Sequence, residues 1–280
     1  MPNFLTTPAV EQYHREGYLF PIRVVSQQTA ERVRDRLEGL ENEMGGRFTG
    51  IHRTKFYLRH RWAYELATTP AMLDVVEDLI GPDILLYHNT TWLKNAGDEG
   101  YVTWHQDITY FGHEPPEVLS VWIALTHSTE ESGCMQVLPG THKEGPLPLT
   151  KPDLDDKNML PSGQLVDFDT TSVTPVSMEL KPGEASIHHA CMIHGSLPNF
   201  SAKRRMGVTF CYHAADLAQR GKRRTSALLV RGKDQWGHYE LEEPPKSDND
   251  IQAISRHEHA VSLYRGKEEE LGKKTVTRFD

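Results

Sequence analysis

Hydrophobic residues recur at helical spacing through the first third of the chain. Pro8 and Gly17 bracket a short helix predicted over residues 8–17. Ser26 can cap a second helix that ends at Gly45, and Thr69-Pro70 opens a third that stops at Gly81-Pro82. The second helix carries a stripe at gaps of three and four, formed by Ala30, Val33, Leu37, Leu40 and Met44. The pattern predicts amphipathic helices packed on a core through one face.

From Ile84 onwards the hydrophobic period shortens, and Gly, Pro, Asn and Asp break the chain into short extended runs. Seven or eight strands in succession predict an antiparallel sandwich or a jelly-roll barrel. The predicted strands are 84–94, 101–110, 118–126, 135–138, 173–180, 184–193 and 205–212.

The chain is long enough for one domain with a real core, and we predict a single domain over residues 1–280. It has a helical N-terminal part at about 1–82, a jelly-roll core at about 83–215 and a charged C-terminal extension at about 216–280, with a helix near 251–264. Residues 140–172 are rich in Pro, Asp, Lys and Gly and too long for a simple connection. Such a segment is often a lid or a binding loop.

Charge and cysteine content narrow the function classes. A net charge of -8 argues against nucleic acid or an anionic membrane as the main partner, since both need a basic face. Three cysteines without metal-type spacing predict no disulfide framework, and no apolar run has the length of a membrane span. We therefore expect a cytoplasmic protein with a small-molecule substrate, either a monomer or a homodimer.

The candidate chemistry centres on Trp104-His105-Gln106-Asp107. In an extended strand His105 and Asp107 would share a face, because side chains repeat every second residue. A catalytic metal needs a third ligand, and His194 is the best candidate. Two histidines and one carboxylate leave open coordination positions, which is the arrangement of non-haem Fe(II) oxygenases.

A basic residue near this centre could anchor an anionic cosubstrate. In the strand that begins at Arg205, the small residues Gly207, Thr209 and Cys211 share the face of Arg205, whereas bulky residues share the face of Arg204. A small face suits a pocket wall, so Arg205 is favoured. Its planar guanidinium can pair with a carboxylate through two parallel hydrogen bonds.

These residues belong to an ordered series of motifs that resembles the phytanoyl-CoA dioxygenase family of Fe(II)- and 2-oxoglutarate-dependent oxygenases. The resemblance covers roughly residues 5–215. The motifs are Gly81-Pro82-Asp83, Lys94, Trp104-His105-Gln106-Asp107, Val121-Trp122-Ile123-Ala124-Leu125, Ser132-Gly133-Cys134-Met135, Leu138-Pro139-Gly140-Thr141-His142, Pro182-Gly183-Glu184, and His194-Gly195-Ser196 through Pro198-Asn199 to Arg205.

The resemblance implies a double-stranded β-helix, the jelly-roll or cupin-like barrel, with flanking helices. It implies a dioxygenase that uses Fe(II), 2-oxoglutarate and O2 to hydroxylate or otherwise oxidise an unactivated C–H bond of a metabolite. His105, Asp107 and His194 are then the iron ligands, and Arg205 with Ser196 clamps the distal carboxylate of 2-oxoglutarate. The other expected cosubstrate contacts are Trp122, Thr90 (where the family often has methionine), Lys55 and Gln106.

Other interpretations of the same residues stay open at this point. The three ligands could hold Zn(II) or Mn(II) in a hydrolase or isomerase, which would not need Arg205. A non-catalytic binding protein on the same barrel is a second alternative. A Ser-His hydrolase built on Ser196 is disfavoured because no strand-turn-helix elbow surrounds that serine. By default His88, His113, His188 and His189 are buried structural histidines, although His188 and His189 could instead support a metal ligand or face the substrate, and His113 could contact the substrate.

Overall fold

The structure of the protein is a computed structural model that describes residues 2–160, 162–248 and 250–272. The helices are α1 Thr7–Glu16, α2 Gln27–Met44, α3 Arg61–Ala67, α4 Pro70–Ile80, α5 Ile108–Phe111 and α6 Ile251–Glu270. The strands are β1 Tyr18–Arg23, β2 Ile84–Lys94, β3 Val102–His105, β4 His113–Glu114, β5 Val118–Ala124, β6 Met135–Val137, β7 Val176–Ser177, β8 Glu184–His189, β9 His194–Ser196, β10 Arg205–Ala214, β11 Ala218–Gln219, β12 Ser226–Arg231 and β13 Glu240–Leu241.

Seven strands form a major sheet in the order β1-β8-β5-β10-β2-β12-β13. Its centre is long antiparallel pairing of β10 with β2 on one side and with β5 on the other. A minor sheet has the order β3-β9-β6-β7, and β4 pairs with β11 separately. Two facing, mainly antiparallel sheets with few helices confirm the predicted jelly-roll fold.

The helices cover the outer face of the major sheet. Buried residues of α2, α3 and α4 form one cluster with Met206, Val208, Phe210 and Tyr212, the bulky alternate positions of β10. The Tyr212 hydroxyl donates to the carbonyl of Ala67 at 2.7 Å and ties β10 to the end of α3. Because this face of β10 packs against the helices, the other face of β10 points into the barrel, as the small residues there predict.

Several predicted elements have the expected ends. The Ser26 side chain caps α2 by accepting from Thr29 N at 3.1 Å, and Gly45 ends it in the left-handed region with φ 68°. Helix α4 begins at Pro70, and α6 begins at Ile251 but continues to Glu270, beyond the predicted end. These ends are set by local residue chemistry, which a sequence pattern can capture.

Other expectations differ from the structure. The strand predicted over 101–110 stops at His105 and gives way to α5, and the one predicted over 173–180 is reduced to Val176–Ser177. The sheet also extends beyond residues 83–215, because β1 pairs with β8 and β12 pairs with β2. The ends and partners of these strands depend on pairing between distant segments of the chain. Alternation along the sequence does not reveal that pairing.

The segment 140–172 has two 3-10 turns, Thr141–Glu144 and Thr170–Ser172, and no helix or longer strand within its described residues. It runs beside β3: Val166 N donates to Trp104 O at 3.0 Å, and the Thr103 hydroxyl donates to Gln164 O at 2.7 Å. All three cysteines are buried free thiols, as predicted. Among the described helices, none combines the length and apolarity needed to cross a bilayer.

Candidate metal centre

The pairing of β3 with β9 brings two histidines together that are far apart in the sequence. His105 and His194 are direct register partners in this antiparallel pair, and their ring centroids lie 4.1 Å apart. The ligand atoms of His105, Asp107 and His194 all lie within 4.8 Å of one another, which fits a single metal ion. Within the described part of the chain no other group of three His, Cys, Asp or Glu side chains meets this condition.

Backbone carbonyls set the protonation of both imidazoles. Nδ1 of His105 lies 2.9 Å from Thr103 O, and Nδ1 of His194 lies 3.0 Å from Met192 O. Because a carbonyl only accepts, each Nδ1 must carry a proton, and in the neutral ring Nε2 keeps its lone pair. Burial, and then the neighbouring His105 and His188, hold the pKa of His194 well below its usual range. The neutral, Nε2-directed imidazole is the state that a metal ligand requires.

Asp107 reaches the centre through a turn and not through strand alternation. The sequence analysis put His105 and Asp107 on one face of a strand, but Asp107 has helical dihedrals, φ -62° and ψ -33°, and precedes α5. The chain turns here because Ile108 N donates to Ala190 O at 3.0 Å. The turn directs Oδ1 of Asp107 to 3.5 Å from His105 Nε2 and 3.7 Å from His194 Nε2.

Two residues of the major sheet hold the other carboxylate oxygen. The Ser120 hydroxyl donates to Asp107 Oδ2 at 2.6 Å, and His188 Nε2 lies 3.2 Å from the same atom. Burial opposes ionisation of Asp107, but the pKa of Asp107 is held well below its usual range, and the hydrogen bond from His188 favours its ionised form. Asp107 is therefore an ionised carboxylate with Oδ2 engaged and Oδ1 directed at the two histidines.

The sequence analysis did not identify Ser120 and left the role of His188 open. Residues 186 and 188 share the parity that faces the barrel interior, but the contact becomes visible only when β5 pairs with β8, where Ser120 lies opposite His188.

Arg205 lies on the inner face of the major sheet with its guanidinium carbon 5.6 Å from the ring centre of Trp122. Trp122 itself packs on Gly207 so closely that an added Cβ there would overlap its ring. Burial lowers the pKa of Arg205 to about 10, which leaves the side chain charged at neutral pH. Arg204 on the opposite face instead pairs with Glu41 at 2.7 Å. The two arginines therefore lie on opposite faces of β10, and Arg205 is the one on the inner face.

Lys94 lies beside Arg205, because the two residues are register partners in the β2–β10 pair. Its side-chain nitrogen is 2.8 Å from the hydroxyl of Ser196 and also donates to the carbonyl of Leu197. Ser196 follows His194 by two residues on β9. The structure thus gathers Arg205 and Lys94 of the major sheet with Ser196 of the minor sheet. Arg205 and Ser196 are two of the predicted cosubstrate contacts.

Thr90 lies in the row of the inner face that also contains Thr209 and Trp122. Its hydroxyl contacts the Arg53 guanidinium at 3.0 Å, and Arg53 stacks over Trp92 at 5.3 Å. Arg53 is therefore the basic residue of this segment that reaches the inner face. No motif in the sequence points to Arg53.

Lys55, expected near the cosubstrate, is placed differently. Its Nζ lies 2.6 Å from Glu242 Oε1 and 2.8 Å from Ser226 O, and the side chain is fully buried. Lys55 also has a left-handed backbone with φ 50°, which turns its side chain away from the direction that Arg53 takes. The structure therefore shows Lys55 in an ion pair with the segment after β13.

Gln106 also serves a different purpose from the one expected. Its amide nitrogen donates to Gly145 O at 2.9 Å and to Cys191 O at 2.7 Å, and its oxygen accepts from Leu147 N at 2.8 Å. With these three bonds Gln106 joins the segment 145–147 to the turn before β9. Gln106, between two candidate ligands in the sequence, therefore supports the backbone around the metal centre.

Three other histidines considered in the sequence, His189, His113 and His88, make contacts of a different kind. His189 contacts Glu117 at 3.3 Å and accepts from Cys191 N at 3.0 Å. His113 is packed in an aromatic cluster 4.9 Å from the ring of Tyr87. His88 stacks on Tyr264 of α6 at 4.7 Å, so the C-terminal helix covers one end of the barrel.

Several known proteins resemble this chain in sequence or in structure. A probable phytanoyl-CoA dioxygenase of Caenorhabditis elegans is 28% identical over 231 residues, 73% of this chain and 73% of that protein. A probable alpha-ketoglutarate-dependent hypophosphite dioxygenase of Stutzerimonas stutzeri is 28% identical over 159 residues, and the match spans 54% of this chain and 52% of that protein. The solved apo structure of ThoJ, a non-heme monooxygenase, is 27% identical with a TM-score of 0.83, covering 94% of this chain and 98% of that one.

The family model for phytanoyl-CoA dioxygenase matches residues 13–207. That range includes both strands of the candidate metal centre, the turn that carries Asp107, and Arg205 on the inner face. It also agrees with the motif series in the sequence, which runs in the same order through the same segments. The chain belongs to the phytanoyl-CoA dioxygenase family.

Proposed function

We propose that the protein is an Fe(II)- and 2-oxoglutarate-dependent dioxygenase that hydroxylates, or otherwise oxidises, an unactivated C–H bond of a small molecule. In the hydroxylation, the substrate, 2-oxoglutarate and O2 give the alcohol, succinate and CO2. The observation that carries the proposal is the convergence of His105, Asp107 and His194, together with a buried cation, Arg205, on the inner face of the major sheet. A hydrolase would need the metal ligands but not this cation.

The residues fit the metal and the cosubstrate that the proposal requires. Two neutral imidazoles and one ionised carboxylate form the donor set typical of Fe(II) in oxygenases, with positions left for a chelating cosubstrate and O2. Iron and O2 supply the oxidising chemistry. The chain would hold iron through His105, Asp107 and His194, and Ser120 and His188 would keep Asp107 oriented.

Arg205 and Ser196 would bind the distal carboxylate of 2-oxoglutarate, because a guanidinium and a hydroxyl both donate to carboxylate oxygens. Trp122, packed on Gly207, would form the wall along its carbon chain. Arg53 and Thr90 would line the neighbouring part of the cavity. The site would thus orient the cosubstrate between the two sheets and exclude water from it.

The net charge of -8 supports a small-molecule substrate over nucleic acid. Three free thiols support a reducing compartment such as the cytosol.

The test is anaerobic addition of Fe(II) and then 2-oxoglutarate, followed by the charge-transfer absorption of the chelate. Admission of O2 should then give succinate at a rate that a true substrate increases. His105→Ala and Asp107→Ala should lose both signals, whereas His127→Ala, a histidine outside the centre, should keep them. Turnover of a candidate substrate without 2-oxoglutarate would instead favour the hydrolase or isomerase.

A further inference from the structure

Two basic side chains lie next to each other in the barrel without an acidic partner. Lys94 is fully buried and Arg205 is 4% exposed. No carboxylate forms an ion pair with either of them within the described residues. Buried charges in proteins are normally paired, because an isolated one keeps most of its desolvation cost. Arg205 is therefore a buried charge without a partner, and an anion bound to it would lie beside a second basic group, Lys94.

We propose that Lys94 is a second cation for the distal carboxylate of 2-oxoglutarate and that it takes up a proton when this cosubstrate binds. The inference rests on the proposed function. It adds to the expected clamp, Arg205 and Ser196, a residue whose charge depends on whether the site is filled.

The contacts of Lys94 place its nitrogen where the clamp would act. It donates to the hydroxyl of Ser196, and the backbone pairing of β2 with β10 sets it directly beside Arg205. Its own carbonyl accepts from the Asn199 side chain at 3.3 Å, which ties this end of β2 to the loop after β9. The position of the nitrogen is thus fixed by three strands.

Burial, and then the charge of Arg205, lower the pKa of Lys94 to about 6. At pH 7.5 a lysine of that pKa is protonated in only about 3% of molecules. A carboxylate bound at Arg205 would favour the ammonium form, so the pKa of Lys94 would rise on binding. Close to one proton should therefore be taken up for each molecule of 2-oxoglutarate.

The other groups that face Lys94 keep their charge in this pH range. Arg205, from β10, stays protonated because its pKa is about 10. Cys134, before β6, stays neutral because burial raises its pKa to about 11. Asp98, in the turn after β2, stays ionised, since its pKa is lowered and it accepts from Gly100 N and from Arg47, both at 2.9 Å. Lys94 is therefore the group here that can change charge near neutral pH.

The affinity for 2-oxoglutarate should depend on pH in a definite direction. Protonated Lys94 favours the bound state, so affinity for 2-oxoglutarate is greatest below pH 6 and weakens as the pH rises above the pKa of the free site. Between pH 6.5 and 8.5 the Kd should increase by roughly tenfold per pH unit.

The experiment is calorimetric titration of 2-oxoglutarate into the Fe(II)-loaded full-length protein without O2, in two buffers of very different ionisation enthalpy. The wild-type protein should take up about one proton per ligand at pH 7.5. Lys94→Met should bind 2-oxoglutarate more weakly, and any proton uptake that remains should come from the metal centre. Lys94→Arg should bind 2-oxoglutarate with an affinity that no longer depends on pH. Lys181→Met, a change of an exposed lysine, should behave as the wild type.

Uptake near zero in the wild type, or equal uptake in wild type and Lys94→Met, would overturn the inference. Because the first of these needs only the wild-type protein, the test stands even if a Lys94 variant does not fold. Absence of any 2-oxoglutarate binding to the iron-loaded protein would overturn the proposed function itself. The two failures are thus distinct.

Discussion

The Ser120 hydroxyl is a sensitive point of the metal centre, because it positions a ligand without touching the metal. It donates to Asp107 Oδ2 at 2.6 Å, a short hydrogen bond to a charged group. Such bonds contribute about 1.5–3 kcal/mol, and removal of a partner that orients a metal ligand typically weakens metal binding by about 10- to 100-fold. We predict a loss of this size in Fe(II) affinity for Ser120→Ala, with the fold kept.

The assay is anaerobic competition for Fe(II) against a chromophoric chelator of known affinity. Ser128→Ala is the matched control, since the Ser128 hydroxyl is equally buried but has no hydrogen-bond partner among the residues described. His188→Phe removes the second bond to Oδ2, and His188→Gln can keep a donor near it. If Ser120→Ala binds Fe(II) within twofold of the wild type while Asp107→Ala does not bind it, the orienting role of Ser120 is wrong.

Three further predictions follow from the packing around the site. Gly207→Ala should raise the Kd of 2-oxoglutarate about tenfold, because a methyl group there displaces Trp122 and overpacking costs about 1–3 kcal/mol; an unchanged charge-transfer titration would contradict this. Gln106→Leu should lower the melting temperature by about 5 °C or more, measured by calorimetry, because Gly145 O, Cys191 O and Leu147 N lose their partner. Lys55→Met should lower the free energy of unfolding in urea by about 3–5 kcal/mol by leaving Glu242 buried and unpaired, and Lys55→Met/Glu242→Met should recover much of that loss; equal losses would refute the ion-pair explanation.

Local residue chemistry predicted the ends of several helices and the two faces of a central strand. Caps and glycines predicted the ends of α2 and α4, and alternation separated Arg205 from Arg204. The same reasoning failed at Asp107, because a backbone bond from Ile108 to Ala190, a residue far along the chain, ends the strand early. Alternation describes a strand but does not tell where distant contacts stop it.

The candidate ligands were predictable as residue types, whereas their supports were not. His105 and His194 stood out by motif, but Ser120, His188 and Lys94 act through pairing between strands that only the folded chain establishes. Lys55 and Arg53 show the same limit. These two basic residues are two positions apart, yet they reach different environments, and the backbone at Lys55 is left-handed. A hint was present in β8, where Ser186 and His188 share the inward parity of a strand otherwise rich in small and apolar residues.

The division of the site between two sheets has a mechanical consequence. The proposed iron ligands lie on and beside β3 and β9 of the minor sheet, whereas Arg205 and Lys94 lie on β10 and β2 of the major sheet. A 2-oxoglutarate molecule bound at one end to the metal and at the other to these cations would link the two sheets across the barrel. Metal and 2-oxoglutarate together should then increase the thermal stability of the protein by more than the sum of their separate effects. The protein would be most stable with both bound, the state that is ready to react.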